Sequence, residues 1–481
     1  MTPLTRPRWL LLGAVLAFAL PYAAARGPQA PVSIPLEPLG YEPVPEQLLL
    51  SGGSMLTVDF VDEHHLLVTF YLKQVLKRLP DCLPEDQDRV IEAWLLELPS
   101  GKPLAHTSWR VHDHGRYLWS LGGGRFLLRV RNTLATIAPL ANLGSGDAFS
   151  EWPLLETSTR QIDSIQLSPD GEMMMVESSA KKPVSITGAE SHHDPAALTQ
   201  VDLFHIVIPD GSGDAIEASH VGRVSIKGIG DIPMDSAGII SAAKDGLLWQ
   251  FNFKGFDGTA TALAPFNSSC HPRPYLVSRS EFVAFGCHAT KDIQVIGGFN
   301  LRGEEMWEQT FASSLLTPRF AFAPAAGRFA LSHMISSLSG EDVSKYAPEL
   351  IDRQTIVVYQ TDSGRQILHL DCTPIDVAGQ NFALSSDGLS LAVFHNEAIE
   401  VYSLPSLTAE EKKAVQLAKE SEPEVTAGEL RFAQPAAEPR ASQPVDAEKA
   451  ANVSVPASGS RKPPTWFTLP EDKSDAQESP K

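Results

Sequence analysis

The stretch "SIQLSPDGEMMMV" (Ser164–Val176) decides the fold. Two short apolar runs flank a Ser-Pro-Asp-Gly turn. Glycine suits such a hairpin turn because it adopts positive φ at no steric cost. The same pattern returns in "NFALSSDGLSLAVF" (Asn381–Phe394) and "RFAFAPAAGRFALS" (Arg319–Ser332), with a looser copy in "LWSLGGGRFLLRV" (Leu118–Val130).

A second pattern lies between these copies. It reads "VIEAWLLELPSGKPL" (Val90–Leu104), "DIQVIGGFNLRGEEMW" (Asp292–Trp307) and "TIVVYQTDSGRQILHL" (Thr355–Leu370), and "LLWQFNFKGFDGTATAL" (Leu247–Leu263) is similar. Apolar residues partly alternate on either side of a Gly-containing turn, as expected for strands. The two patterns alternate along the chain, so together they define a four-stranded unit. Seven units begin near Met55, His114, Gln161, Ile232, Arg273, Arg319 and Asn381. The spacing is roughly 50 residues, close to that of propeller blades. Four-stranded units repeated around an axis leave only short, protected edges.

"LSPDG" (Leu167–Gly171), "LSSDG" (Leu384–Gly388) and "VVYQTDSGRQI" (Val357–Ile367) resemble blades of bacterial WD-repeat-like and YVTN-type propellers. The resemblance implies an all-β chain: a seven-bladed β-propeller of four-stranded antiparallel blades. It implies no activity. No unit has a regular Gly-His start or a closing Trp-Asp pair, so no WD-type hydrogen-bond network is carried over. A pair of two-sheet β-sandwiches is the alternative fold.

The flanks differ in composition. Residues 1–25 read as a signal peptide: Arg6 and Arg8, an apolar run "WLLLGAVLAFAL" (Trp9–Leu20), then Pro21 and "AAA" (Ala23–Ala25). The run is short for a span of about 20 residues, so cleavage is expected over a retained anchor. Residues 26–50 form a Pro-rich lead-in, 51–404 the propeller and 405–420 a short helix. Thr408 and Glu411 stand at capping-box spacing in that helix. Residues 421–481 read as a disordered tail rich in Pro, Ala and Glu, too poor in apolar surface to offset chain entropy. Its "PPTWFTLPEDKSD" (Pro463–Asp475) reads as a stray apolar spot, with a docking peptide as the alternative.

The seventh unit supplies only three strands before Pro405. The ring needs a fourth, and the lead-in can donate it through "VSIPL" (Val32–Leu36) or "QLLL" (Gln47–Leu50).

Export implies oxidising surroundings, where the four cysteines can pair. Folding the fifth unit's hairpin near Ser278–Ser280 brings Cys270 opposite Cys287. His271 and His288 then point away from their cysteine neighbours, so a disulfide is expected over a metal centre. Cys82 and Cys372 fall on one face of neighbouring units and form a second candidate pair.

Three long insertions separate strands two and three: Leu72–Asp88, Ser178–Thr199 and Ile335–Arg353. In antiparallel blades these loops share a face with the links between blades. Loops on a rigid scaffold are where binding usually sits. The candidate binding residues are Lys73, Lys77, Arg78, Lys181, Lys182, His192, His193 and Tyr346.

The net charge of −19 argues against nucleic acid, which needs a clustered basic surface. No P-loop, dinucleotide fingerprint, zinc-protease motif or nucleophile elbow occurs. "RGEEMW" (Arg302–Trp307) lacks the residues that precede it in quinoprotein blades. Three close histidine sets occur: His64 and His65, which diverge on a strand, His112 with His114, and His192 with His193 beside Asp194, which read as solvated loop histidines with a metal pair as the alternative. No catalytic, cofactor or metal residue is assigned. The expected function is a monomeric, periplasmic or secreted module that binds a protein or peptide through one face. A lyase- or hydrolase-type propeller enzyme with a central-channel site is the alternative, and a structural envelope protein is a third reading.

Overall fold

The computed structural model describes residues 30–44, 55–72, 89–111, 116–130, 133–157, 160–180, 198–207, 216–227, 233–246, 248–290, 293–312, 314–315, 319–336, 351–372, 380–423, 425 and 467–468. A lead-in strand, β1 (Val32–Pro35), comes first. Blade 1 is β2 (Thr57–Asp62), β3 (His65–Leu72), β4 (Arg89–Glu97) and β5 (Lys102–Val111). Blade 2 is β6 (Leu118–Gly122), β7 (Arg125–Val130), β8 (Thr133–Ile137) and β9 (Trp152–Glu156). Blade 3 is β10 (Arg160–Leu167), β11 (Met173–Ala180), β12 (Leu198–Val207) and β13 (Glu217–Lys227).

Blade 4 shows β14 (Gly238–Asp245), β15 (Leu248–Gly255) and β16 (Ala260–Phe266). The end of its inner strand is present as well. Met234 bridges Ile239 antiparallel, and Ile240 N–H donates to the Pro233 carbonyl at 2.9 Å. Blade 5 is β17 (Arg273–Leu276), β18 (Glu281–Cys287), β19 (Ile293–Asn300) and β20 (Glu305–Ala312). Blade 6 is β21 (Ser314–Leu315) and β22 (Arg319–Ala323), both pairing with β23 (Arg328–Ser336), followed by β24 (Ile351–Gln360) and β25 (Gln366–Cys372). Blade 7 is β26 (Phe382–Leu384), β27 (Ser390–His395) and β28 (Ala398–Ser403). The chain is a seven-bladed propeller; β2, β10, β17, β22 and β26 begin near Met55, Gln161, Arg273, Arg319 and Asn381, and the expected starts at His114 and Ile232 lie outside the described residues.

The recurring turns explain the pattern that marks them. In the blade 3 turn, Met173 N–H donates to Ser168 Oγ at 2.9 Å and Glu172 N–H to Asp170 Oδ1 at 3.0 Å. Blade 7 repeats both contacts, with Ser390 N–H to Ser385 Oγ and Leu389 N–H to Asp387 Oδ1, each at 2.9 Å. Gly171 has φ of +73°, and a Cβ there would lie 2.4 Å from the Leu121 carbonyl oxygen of the preceding blade. Glycine is therefore required twice, by conformation and by close approach.

Seven apolar clusters occupy the seven blade-to-blade interfaces. One joins blades 7 and 1 around Leu56, Phe70 and Phe394. Another joins blades 3 and 4 through Met173, Met175, Met234 and Phe256. Each inner-face side chain therefore packs against a neighbouring blade.

The lead-in closes the ring. Strand β1 pairs antiparallel with β28 in the register Val32↔Val401 to Pro35↔Ala398, as the outer strand of blade 7. Ile34 and Leu36 enter the cluster between blades 7 and 1. At the channel, Val58 N–H donates to the Gln380 carbonyl at 3.0 Å and Gln380 N–H to the Leu56 carbonyl at 3.1 Å. Of the two candidate donors, "VSIPL" is the one used; Gln47–Leu50 lies outside the described residues.

The Cys270–Cys287 disulfide is formed, with Cα atoms 5.4 Å apart. It ties the start of β17 to the end of β18. His271 packs edge-on against Trp249, ring centroids 4.7 Å apart, rather than toward a metal. Cys372 is buried, and Cys82 lies outside the described residues, so the second pairing is not described.

Helix α1 (Ala409–Glu420) carries the expected capping box. Thr408 Oγ1 accepts from Glu411 N–H at 3.2 Å, and Glu411 Oε2 accepts from Thr408 N–H at 2.7 Å. One correction concerns the tail. The segment read as a stray apolar spot supplies β29 (Phe467–Thr468), which pairs parallel with Leu155 and Glu156 of β9 at the outer edge of blade 2. An open strand edge offers unpaired backbone groups, which a passing extended segment can satisfy. The signal segment and the rest of the tail lie outside the described residues. Among the described residues, no helix is long and apolar enough to cross a membrane.

Candidate functional site

Strand direction fixes two faces. Inner strands run from the links between blades toward the Ser-Asp-Gly turns. The described strands that flank the three insertions end on the link face: β3 and β4, β11 and β12, β23 and β24. All three insertions therefore leave and rejoin the scaffold on one face. The eight residues expected to bind there, Lys73, Lys77, Arg78, Lys181, Lys182, His192, His193 and Tyr346, lie outside the described residues.

The opposite, turn face is occupied. Helix α1 rests on it through Val415, which abuts Gly327 in the blade 6 turn, and through an ion pair between Glu411 and Arg365. Beyond the helix, Glu422 meets Arg279 in the blade 5 turn at 3.6 Å. Arg279 also reaches Asp170 and Glu172 in the blade 3 turn, each at 3.4 Å. Ser236 of blade 4 donates to Asp170 Oδ2 at 2.6 Å. Burial pushes the neighbouring Asp235 carboxyl up to about 7, even though Ala237 and Gly238 N–H donate to it. These contacts staple turns of three blades to the residues just after α1, which is a structural role.

The insertion-face end of the channel carries a different cluster. Arg116 lies two residues before β6, Gln380 two residues before β26, Arg319 opens β22 and Asp59 lies in the first half of β2. Arg116 is exposed, and its guanidinium spans from blade 2 past blade 1 to blade 7. Its Nε–H donates to the Leu118 carbonyl at 2.9 Å and its Nη2–H to Gln380 Oε1 at 2.6 Å. The Trp119 ring lies beneath it, 5.5 Å from Cζ to centroid. Arg116 forms no ion pair at contact distance among the described residues. Although its surface is exposed, the surrounding protein displaces part of the water around the guanidinium and lowers its proton affinity; the charge of Asp59 raises it, and the like charge of Arg319 lowers it again.

Asp59 is buried in the wall beside Arg116. Burial pushes its carboxyl up to about 7, against the pull of Arg116 and a hydrogen bond with Thr57. Thr57 and Thr69 hydroxyls are 2.7 Å apart, and Tyr117 bonds both Thr69 and the Met55 carbonyl. This polar seam fixes the backbone of blades 1 and 2 around Asp59 and Arg116. Among the described residues, this part of the wall sets one carboxyl with raised proton affinity beside two guanidinium groups.

Sequence reading passed over Asp59, Arg116, Arg319 and Gln380. A signal existed: Arg116 and Arg319 stand where a first strand begins, and Asp59 interrupts an apolar strand. Among the described residues no group of three His, Cys, Asp or Glu side chains is arranged to hold a metal ion.

No family model and no curated protein matches the chain. Solved structures with similar folds include an oligogalacturonate lyase in complex with manganese, at 11% identity and TM-score 0.40, covering 73% of this chain and 96% of that one. The C-terminal WD40 domain of Sif2 matches at 10% identity and TM-score 0.39, covering 79% and 99%. A Mycobacterium tuberculosis puromycin-hydrolyzing peptidase matches at 12% identity and TM-score 0.36, covering 76% of this chain and 53% of that one. Fold alone selects no activity.

Proposed function

We propose that the chain is an exported, monomeric propeller that binds a protein or peptide through its insertion face. The observation that carries this is the asymmetry of the two faces. All three insertions are rooted on one face, while α1 and the Arg279 network occupy the other. Periplasmic or secreted placement follows from the signal-like N-terminus and fits the Cys270–Cys287 disulfide.

The test is chemical cross-linking in the exported fraction. Wild type is compared with three variants in which residues 73–88, 181–197 or 337–350 are replaced by a short Gly-Ser linker. A fourth variant changes the exposed Lys412 and Lys413 of α1 to Ser. Loss of the cross-linked partner in the linker variants, with retention in the α1 variant, is expected. The reverse pattern would move binding to the turn face and end the proposal.

One observation favours a lyase- or hydrolase-type channel site instead, namely the Asp59 carboxyl held near 7 beside Arg116. General acid–base work needs a second group within reach of the same substrate atom. A substrate-dependent activity abolished by Asp59→Asn would establish that alternative.

A further inference from the structure

We propose that Arg116 is the receptor for a carboxylate carried by the peptide ligand, at the insertion-face mouth of the channel. This deepens the insertion-face reading and rests on it.

Arg116 is held in place before any ligand arrives. Leu118 and Gln380 orient the guanidinium by two hydrogen bonds, and the Trp119 ring supports it from below. Those bonds use Nε–H and one Nη2–H. The Nη1 donors have no partner among the described residues, and the side chain is exposed. A planar fork with free donors in fixed geometry matches a carboxylate.

Among the described residues, the acid that acts on the Arg116 charge is Asp59, whose carboxyl burial pushes up to about 7, and Arg319 acts on it as a like charge. Thr57 and Tyr117, which face Asp59, carry no charge at neutral pH. Protein walls around a channel keep such a field from being screened as it would be on an open surface. The site also opens on the face where the insertions are rooted, so a segment bound by those loops can extend an acidic side chain or a C-terminus into it.

The test is isothermal titration of the full chain at constant ionic strength, with sodium succinate and with neutral succinamide. Succinate is expected to saturate one site and succinamide to bind at least about tenfold more weakly. Arg116→Gln should lower the succinate association constant at least about tenfold. Arg116→Lys, which keeps the charge and loses the fork, should fall between. Unchanged melting of Arg116→Lys guards against misfolding as the cause. Succinate binding that ignores Arg116→Gln, or the absence of saturation, overturns the site.

A second arm separates a peptide from a free small acid. It compares an acetylated, amidated Gly-Gly-Glu-Gly-Gly peptide with its Gln counterpart. Tighter binding of the Glu peptide, lost in Arg116→Gln, supports a peptide-borne carboxylate. Equal binding of the two peptides overturns that source. The linker-replacement experiment can fail independently of both arms, because none of the replaced segments contains Arg116.

Discussion

The fully buried Arg328 guanidinium donates Nη2–H to the Pro405 carbonyl at 2.8 Å, joining the inner hairpin of blade 6 to the residue where the propeller ends. Its Nη1–H reaches the Gly388 carbonyl at 2.6 Å and its Nε–H reaches Gln360 Oε1 at 3.1 Å. One side chain therefore ties blade 6, the blade 7 turn and the start of the C-terminal helix. Replacing it by Ala would strand two buried acceptors, on Gly388 and Gln360, release the Pro405 carbonyl and leave a cavity. Arg328→Ala should destabilise by roughly 3–5 kcal/mol, with Arg328→Lys recovering part. Urea denaturation measures the loss. Faster limited proteolysis between residues 405 and 420 would report release of α1.

The staple in blade 5 is a second target. The disulfide closes a loop of sequence separation 17. Chain-entropy reasoning assigns such a link about 3 kcal/mol. The Cys270→Ser, Cys287→Ser double variant should fold but lose stability by that amount, seen as a lower denaturation midpoint. Intact mass with and without reductant and alkylation counts the bridge directly. An unchanged midpoint would mean that the hairpin is held by its strand pairing alone.

Asp59 predicts a pH dependence with a definite sign. Its carboxyl titrates near 7 in the folded chain, against 3.8 when unperturbed. Between those values the unfolded chain has released the proton and the folded chain still holds it. Stability contributed by this group therefore falls as pH rises from about 4 to 7, then levels off. Asp235 and Glu281, also pushed up to about 7 by burial, act in the same direction. Asp59→Asn should flatten part of the slope, by at most about 4 kcal/mol across the window. Denaturant titrations at pH 5 and pH 8 provide the comparison. An equal slope in wild type and variant would place Asp59 in contact with water.

Ring closure depends on seven lead-in residues. Deleting residues 30–36 would leave blade 7 with β26, β27 and β28 and uncover the cluster that holds Ile34 and Leu36. The truncated chain should aggregate, because an open edge and an apolar patch appear together. Ile34→Ala, which keeps the backbone pairing, should cost about 2–4 kcal/mol and leave the protein monomeric. Light scattering separates the two outcomes.

The repeat pattern and local motifs alone determined the blade count, the capping box at Thr408 and Glu411 and the pairing of Cys270 with Cys287. Each is a local relation, set by strand periodicity, turn chemistry or a single hairpin, so it is written in adjacent residues. The need for a donated strand was legible too, because the seventh unit has only three. Which lead-in segment serves was not, because "VSIPL" and "QLLL" are both apolar and both within reach. Packing of Ile34 and Leu36 against Phe70 and Phe394 made that choice. The same limit applies to the tail, where two backbone residues find an open edge some 300 positions away.

Tertiary structure alone decided the channel cluster. Asp59, Arg116, Arg319 and Gln380 come from blades 1, 2, 6 and 7, and only ring closure brings the first two beside the last two. Their chemistry depends on that meeting. A lone Asp in a strand or a lone Arg before one carries no signal, until burial raises the acid, the like charges share a wall and Gln380 fixes the guanidinium's direction.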